Sequence, residues 1–344
     1  MSELIFDFGN ALGKWFAPRK NVYGSFVHAI ARLSDNEWQE VMGRSAKPLD
    51  GFIRVNGIGY AVGAMARRHT IQERPRGAAR YHDTYYGVAL AYAMSEAFKR
   101  DDANVSLFAS HAPIDIKYAR NIVASANGIW QVDCRHGSLT FQVSDIMTFD
   151  EPLGGYSHFT LTEKGDERNK NPLNDKTVLV IDAGGYTVDV VAVDPGGNID
   201  IMSAHSTRTG VINLTNNFEN EMRSNNATLF QDTGDIDIRR IEGAILTGVY
   251  NFGKVKLNVQ AEAQAAINNL VNDVGEIIRA AGGAANFDCM LLTGGGSALI
   301  HDALVAAYPR IDFIMAEKSR DLMKFANVFG GAKISAMLRK FGVH

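Results

Sequence analysis

The sequence of 344 residues predicts an α/β fold made of two related domains whose mixed sheets flank a shared cleft. Two apolar runs lead to this prediction, one near the start of the chain and one near its middle. Residues 4–9 (LIFDFG) and residues 178–184 (VLVIDAG) both end in the pattern Asp-x-Gly. Short apolar runs are typical of buried strands, and an acidic residue followed by glycine is typical of a tight turn. The chain therefore contains an internal repeat.

The first half predicts strands over 3–8 and 14–17, which a tight turn joins. The other elements predicted there are a hairpin over 51–63 with Asn56-Gly57 at its turn, a helix over 83–99, a strand over 105–110, a helix over 114–126 and paired strands over 128–146. A polar segment, 162–176, predicts a surface loop.

The second half repeats the order β-β-β-α-β-α. Its predicted strands are 178–182, 187–193, 199–204 and 288–292, and its predicted helices are 213–223, 236–249, 259–281 and 303–308. A last helix is predicted over 325–338. We expect domain I to comprise residues 1–150, with a small inserted subdomain at about 32–80, and to be completed by the C-terminal helix 325–344; domain II comprises 151–324.

Composition excludes several classes of protein. Hydrophobic residues make up 46% and charged residues 21%, and the net charge of −3 points to neither nucleic acid nor an anionic membrane as a direct partner. No apolar stretch approaches the length of a membrane span, and no signal-peptide pattern is present. The two cysteines, Cys134 and Cys289, argue against a disulfide framework and favour the cytoplasm. Zinc-site spacings, a P-loop and a nucleophile elbow are missing from the sequence.

The first candidate site is Asp7-x-Gly9 followed by Lys14. A hairpin here would put Asp7 at the end of one strand and Lys14 on the returning strand. Glycine lets the backbone approach oxyanions closely, and lysine supplies a point charge for phosphate. The alternative is an ordinary glycine turn with a solvated lysine.

The second candidate site, Asp182-x-Gly184-x-x-Thr187-x-Asp189, is more specific. An acidic residue at the end of an apolar strand is costly to bury unless it binds something. Asp182 is suited to organising Mg²⁺ through water, because Mg²⁺ keeps several of its waters. Gly184 and Gly185 would form a turn that binds phosphate. Thr187 would either cap this turn or contact the phosphate itself. Asp189 is either part of the site or a turn contact.

Two further segments could contribute. A strand runs into Gly294-Gly295-Gly296-Ser297, where the backbone could approach a base or sugar, although three glycines also occur in plain loops. Glu151 could orient a water for attack on a terminal phosphate, or it could be a solvated loop acid.

A basic cluster is the strongest local charge in the chain. It could bind nucleic acid or an acidic partner, but a solvated or subunit-contacting face is favoured because aromatic residues do not interleave with it. The cluster consists of Arg67, Arg68, His69, Arg74, Arg76 and Arg80.

Taken in order, these motifs resemble the actin/Hsp70/sugar-kinase superfamily, and so does the C-terminal stretch 325–333 (FANVFGGAK). The compact length and this ending are most similar to ParM/StbA-type actin-like proteins, which are cytoplasmic ATPases that form filaments, often to segregate plasmids. The resemblance implies two actin-like (ribonuclease H-like) domains around a nucleotide cleft. It also implies Mg-dependent hydrolysis of ATP, or of GTP in place of ATP.

The resemblance implies a role at each matching position. Asp7 and Asp182 would organise Mg²⁺ through its waters, and Glu151 would position the attacking water. The residues that would bind nucleotide are Gly9, Asn10, Lys14, Gly184, Gly185, Thr187, Glu242, Gly294, Gly295, Gly296 and Ser297. The first turn lacks the Ser or Thr common in relatives, so one phosphate contact must come from the backbone or from Asn10. Glu242 would meet the ribose.

Three functions follow. The leading one is a filament-forming ATPase that segregates plasmid DNA through a separate DNA-binding adaptor. The second is a small-molecule kinase of the superfamily, for which Asp145 and Asp150 are the available catalytic aspartates. The third is a chaperone-like or regulatory nucleotide-binding module that does not polymerise.

Overall fold

A computed structural model of the protein describes residues 1–43, 47–68, 82–99, 103–231, 234, 236 and 238–342. The chain divides into two compact units, of which the first comprises Met1–Pro172 and Phe325–His344 and the second comprises Leu173–Lys324. The first boundary thus lies after the helix Glu151–Thr160, whereas the sequence analysis places it before that helix. The reason is packing, since this helix packs against the C-terminal helix Ala326–Lys340 within the first unit.

The strands, in chain order, are β1 (Ser2–Phe8), β2 (Leu12–Ala17), β3 (Val22–Val27), β4 (Ile30–Arg32), β5 (Phe52–Val55), β6 (Ile58–Val62), β7 (Ala103–His111), β8 (Gly128–Cys134), β9 (Gly137–Asp150), β10 (Val178–Ala183), β11 (Val188–Val193), β12 (Ile199–Thr207), β13 (Val249–Phe252), β14 (Val255–Asn258), β15 (Cys289–Thr293) and β16 (Asp312–Met315).

The helices are α1 (Asp35–Gly43), α2 (Asp83–Phe98), α3 (Ile116–Ser125), α4 (Glu151–Thr160), α5 (Val211–Asn225), α6 (Ala227–Phe230), α7 (Ile238–Thr247), α8 (Gln260–Ala280), α9 (Ser297–Ala307), α10 (Arg320–Met323) and α11 (Ala326–Lys340).

The first unit is built on a sheet that has nine strands within the described residues, in the order β3-β2-β1-β7-β9-β8-β5-β6-β4. Strand β1 is antiparallel to β2 and parallel to β7, which is parallel to β9. Leu4 and Phe6 of β1 pack in the core that includes α2, whereas Ile5 packs in the core that includes α11. Both faces of β1 are therefore buried, which explains why its sequence is apolar without alternation.

The second unit has a sheet of five strands among the described residues, in the order β12-β11-β10-β15-β16. Strand β10 is antiparallel to β11 and parallel to β15, which is parallel to β16. This is the order and direction of β3-β2-β1-β7-β9 in the first unit. The internal repeat that the sequence predicts is therefore confirmed in the topology. A separate hairpin, β13-β14, follows α7.

Several elements depart from their predicted bounds. Strand β9 continues to Asp150 instead of ending near residue 146, and its pairing with β7 shifts beside Asp145, which has a φ of 50°. Helix α9 begins at Ser297, directly after the glycines, rather than at residue 303. Helices α1 and α4 and strand β16 were not predicted, because short segments show too few apolar repeats to define a period.

Two sequence expectations concern the surface. Of the basic cluster, Arg67 and the backbone of Arg68 belong to the 3₁₀ turn Ala66–Arg68, while His69, Arg74, Arg76 and Arg80 lie outside the described residues. Residues 69–80 of the predicted inserted subdomain also lie outside the described residues. Within the described part of the chain, every helix is too short or too polar to cross a membrane.

Candidate functional site

The first group of candidate residues lies at one edge of the first sheet. Strands β1, β7 and β9 are parallel, so their carboxyl ends lie along the same edge. Asp7 is near the end of β1, and Glu151 directly follows β9. The carboxyl edge of a parallel arrangement is where α/β proteins commonly bind ligands.

Asp7 and Lys14 form a buried ion pair across the first hairpin. They are direct cross-strand partners, and Lys14 Nζ lies 2.5 Å from Asp7 Oδ2. The Asp7 side chain is 0% exposed and that of Lys14 is 15% exposed. The predicted hairpin is confirmed, and the alternative of a solvated lysine is wrong.

The second carboxylate oxygen of Asp7 is a conspicuous polar atom. Asp7 Oδ1 is buried and has no hydrogen-bond partner among the described residues. An unpaired buried acceptor costs free energy, so such atoms usually mark a place where a water or a ligand donates a hydrogen bond. A water of a hydrated cation would supply that donor.

The turn after Asp7 is tight, and it is held by His28, which directly follows β3. A Cβ at Gly9 would lie 2.9 Å from the Leu12 carbonyl oxygen, so only glycine fits without a shift. His28 contacts this turn twice: its ring Nδ1 donates to the Gly9 carbonyl at 3.0 Å, and its backbone N–H donates to the Ala11 carbonyl at 2.9 Å. Asn10 lies between these two carbonyls.

The hairpin of the second unit repeats this construction. Asp182 of β10 pairs with Asp189 of β11, and the Gly184 N–H donates to the Thr187 carbonyl at 2.9 Å. Thr187 Oγ1 also donates to Asp189 Oδ2 at 2.9 Å. Thr187 thus caps its own turn through Asp189. Both carboxylates are buried, at 5% and 3% exposure.

The carbonyls of this second turn face the start of helix α5. The backbone N–H of Val211 donates to Gly184 O at 3.2 Å, and that of Ile212 donates to Gly185 O at 2.8 Å. These are amides of the first helical turn, which have no partner inside the helix. The helix therefore fixes the orientation of the turn.

The glycine segment after β15 packs directly against the Asp182 turn. Thr293 is the cross-strand neighbour of Asp182, and the Gly296 N–H donates to the Ala183 carbonyl at 2.9 Å. Gly294 has a φ of +83°, and a Cβ there would collide with the Asp182 carboxylate. Thr293 Oγ1 is buried without a hydrogen-bond partner among the described residues.

Ser297 and Gly295 complete that segment in different ways. Ser297 is fully buried at the start of α9, and its hydroxyl donates back to the Thr293 carbonyl. Its side chain thus stabilises the turn. A Cβ at Gly295 would meet only Lys324, whose Cβ would lie 3.3 Å away and whose Cα would lie 3.9 Å away.

Glu151 is the first residue of helix α4 and is 8% exposed, so it is not a solvated loop acid. Asp150, the residue before the helix, lies 3.3 Å from the ring Nδ1 of buried His111, its cross-strand neighbour. Burial raises the pKa of the Asp150 carboxyl, while the charges of His111 and Arg120 oppose that rise. A negative charge suits the start of a helix, because the helix dipole is positive there.

Glu242 belongs to α7, and its carboxylate lies 3.7 Å from an Arg320 guanidinium nitrogen. The predicted site residues are divided between the two units. Asp7, Gly9, Asn10, Lys14 and Glu151 belong to the first, and Asp182, Gly184, Gly185, Thr187, Glu242 and the Gly294–Ser297 segment belong to the second.

The carboxylates fit a cation that is held through its waters. No group of three or more His, Cys, Asp or Glu side chains in the described ranges is arranged to ligate a metal directly. The first hairpin instead offers one buried aspartate, Asp7, and the second offers two, Asp182 and Asp189. Mg²⁺ is the common ion that keeps most of its waters. In the first unit Asp7 Oδ1 is buried without a hydrogen-bond partner among the described residues, and in the second unit the same is true of Thr293 Oγ1.

Sequence reasoning assigned no role to three of these residues, which are His28, His111 and Thr293. Only folding brings them to their partners. Asp150, which lies beside His111, was predicted only as a candidate catalytic aspartate of a kinase. His28 had one visible signal, since it is a histidine within the otherwise apolar segment 26–31 (FVHAIA). A buried polar side chain in such a segment has a partner, but the sequence does not say which.

Comparison with known proteins identifies the fold. No family model matches the sequence, and no curated protein matches it. The archaeal actin homolog Ta0583, also solved in complex with ADP, aligns with a TM-score of 0.75 and 16% identity over 98% of this chain and 99% of its own. ParM of Bacillus thuringiensis with AMPPNP aligns with a TM-score of 0.70 and 14% identity over 99% of both chains.

A 15-stranded ParM filament from Clostridium botulinum aligns with a TM-score of 0.68 and 17% identity over 97% of this chain and 98% of its own. Identities this low establish the architecture alone. The chain has the actin-like fold over nearly its whole length, which confirms the fold class that the sequence predicts.

Proposed function

We propose that this chain is an actin-like ATPase that polymerises into filaments when it binds Mg-nucleotide and that segregates plasmid DNA through a separate adaptor protein. ATP is the nucleotide we expect, with GTP as the alternative. We place the protein in the cytoplasm, where cysteines stay reduced; Cys134 and Cys289 are both buried and unpaired.

The observation that carries the proposal is the duplicated Asp-x-Gly hairpin. Two hairpins of the same topology each have a buried aspartate two residues before a constrained glycine, Asp7 in the first and Asp182 in the second. In the first hairpin, Asp7 Oδ1 has no donor among the described residues. Carboxylates hold Mg²⁺ and backbone amides of tight turns bind phosphate in many proteins, and each hairpin has both kinds of group. ADP and AMPPNP in the structural neighbours support this choice of ligand.

In this proposal Asp7 and Asp182 accept hydrogen bonds from the waters of Mg²⁺, and Glu151 orients the attacking water. The phosphates contact Gly9, Asn10, Lys14, Gly184, Gly185 and Thr187, while Gly294, Gly295, Gly296 and Ser297 border the adenosine and Glu242 meets the ribose. The metal, when bound, would neutralise charge on the phosphate oxygens. Lys14 would do the same as a fixed cation, because Asp7 holds it in place.

Polymerisation is the second part of the proposal. A contact between two different faces of identical subunits does not close on itself, and so it propagates into a filament. Nucleotide state would control such contacts through a conformational change of the subunit. The likeness to a ParM filament supports this part.

The test follows light scattering and phosphate release together after Mg-ATP is added to purified protein, with negative-stain images of the end point. We expect scattering above a critical concentration, filaments and phosphate release. Mg-ADP is the control, because it has no γ-phosphate to release. Asp182→Ala should abolish hydrolysis, and normal turnover in that variant would reject the site. The absence of scattering at every concentration would reject the filament.

One observation favours a small-molecule kinase as the second candidate. Asp150 lies at the carboxyl edge of the sheet beside Glu151, and a carboxyl with a raised pKa there is suited to accept a proton from a hydroxyl. Asp145 lies within β9, away from this edge, and is exposed. ATP turnover that depends on an added sugar would support the kinase.

A further inference from the structure

In each repeat the carbonyl oxygen of the turn glycine accepts a hydrogen bond, but the donor is a different kind of group in the two repeats. Each glycine lies two residues after the aspartate of its hairpin. In the second unit the Gly184 carbonyl accepts a hydrogen bond from the backbone N–H of Val211, at 3.2 Å. In the first unit the matching carbonyl, that of Gly9, accepts from the ring Nδ1 of His28, at 3.0 Å. A side chain thus does in one repeat what a helix amide does in the other.

The His28 ring is fixed in place. Its side chain is 2% exposed, and its ring centroid lies 4.2 Å from that of Phe8, the residue before Gly9. Its own backbone N–H donates to Ala11 O at 2.9 Å, which anchors the far side of the same turn. Because a carbonyl oxygen can only accept, Nδ1 must carry the proton.

The contact with Gly9 has a consequence for the next amide. The C=O and the N–H of a planar trans peptide point in opposite directions, and the described residues contain no cis peptide. The Gly9 carbonyl points at His28, so the Asn10 N–H points away from it. Without the His28 donor, the peptide between Gly9 and Asn10 could rotate. The Gly9 carbonyl oxygen would then take the direction in which the Asn10 N–H now points.

We propose that His28 is a positioning residue of the first phosphate turn: by holding the Gly9 carbonyl, it presents the Asn10 amide to the phosphates of a bound Mg-nucleotide. The inference rests on the proposed function, because it assumes that this turn binds phosphate. It assigns a role to a residue that contacts no ligand itself.

The experiment compares three variants of His28 that differ in whether, and at what position, the side chain has a hydrogen-bond donor for the Gly9 carbonyl. Asn at position 28 can place its amide nitrogen where Nδ1 lies, Gln extends its amide one carbon further, and Leu offers no donor. Titration calorimetry with Mg-AMPPNP measures affinity, and thermal unfolding without nucleotide measures stability. We expect His28→Leu and His28→Gln to weaken Mg-AMPPNP binding by about 10-fold or more and His28→Asn to recover most of it.

The outcomes separate the two proposals. If the parental protein binds Mg-AMPPNP and all variants bind it equally well, the role of His28 is overturned while the nucleotide site stands. If the Mg-AMPPNP affinity of the variants falls in proportion to their Tm and does not depend on where the donor lies, His28 only stabilises the fold. That result would overturn the inference. If His28→Leu does not fold, the Mg-AMPPNP affinities of His28→Asn and His28→Gln are compared, and equal affinities overturn the inference. Absence of binding to the parental protein overturns the proposed function and, with it, this inference.

Discussion

Replacing Gly294 with alanine is expected to destabilise the second unit and to disturb the candidate site. Gly294 has a φ of +83°, a conformation that side-chain-bearing residues rarely adopt. A new Cβ would lie 2.6 Å from the Ala183 carbonyl oxygen and 2.9 Å from its carbon, and it would also overlap the Asp182 carboxylate. The backbone atoms cannot rotate away as a flexible side chain would.

The magnitude follows from these contacts. Forcing a residue into a sparsely populated backbone region costs about 1–3 kcal/mol, and the overlap with backbone puts this substitution in the upper half of that range. For a unit of about 150 residues, a loss of ~2 kcal/mol lowers Tm by roughly 4–8 °C. We also expect weaker binding of Mg-nucleotide, since the Asp182 carboxylate must move.

Gly295→Ala is the matched control, because the substitution is the same and the residue is adjacent. A Cβ at Gly295 would lie 3.3 Å from the Lys324 Cβ, and the φ of Gly295 is not in the positive range. Differential scanning calorimetry and nucleotide titration of both variants make the comparison. If Gly294→Ala unfolds and binds nucleotide as Gly295→Ala does, the geometry argued for this turn is wrong.

Two further predictions concern the carboxyl end of β9. Glu151→Ala should slow phosphate release while nucleotide binding persists, and its filaments should last longer; release at the parental rate would show that Glu151 does not position water. Asp150→Asn should gain stability relative to the parent as pH rises. Burial raises the pKa of the Asp150 carboxyl above its unfolded value, so its contribution to stability is present in acid and is lost as pH rises through the folded pKa. Unfolding midpoints across pH check this, and a difference between the two proteins that does not change with pH would contradict it.

Local signals were enough to predict the core of each repeat. The spacing of Asp7, Gly9 and Lys14 specifies a short hairpin, and the structure pairs Asp7 with Lys14 across it. The same logic held for the second hairpin, where the Asp182 turn joins β10 and β11. The pair Asn56-Gly57 also predicted a hairpin turn, because both residue types tolerate positive φ. Both residues have positive φ in the tight hairpin β5-β6.

Contacts made only by folding were out of reach of the sequence. His28 meets Gly9 across strands β2 and β3, and no local pattern connects the two residues. Glu151 could be named from its order in the chain, but its burial depends on where β9 ends and α4 begins, and boundaries are the least predictable property of an element. The polar segment 162–176 gave no hint that Glu163 would pair with buried Lys333 of α11, at 3.2 Å.

The first unit is assembled from both ends of the chain, and this has a consequence for synthesis. Helix α11 packs against α4 and β1, so the first unit lacks part of its core until residues 325–344 have left the ribosome. The second unit, an uninterrupted segment, is complete earlier and is free to fold first, which reverses the usual order in which domains mature during translation. A nascent chain therefore cannot complete the core of its first unit before helix α11 has been synthesised.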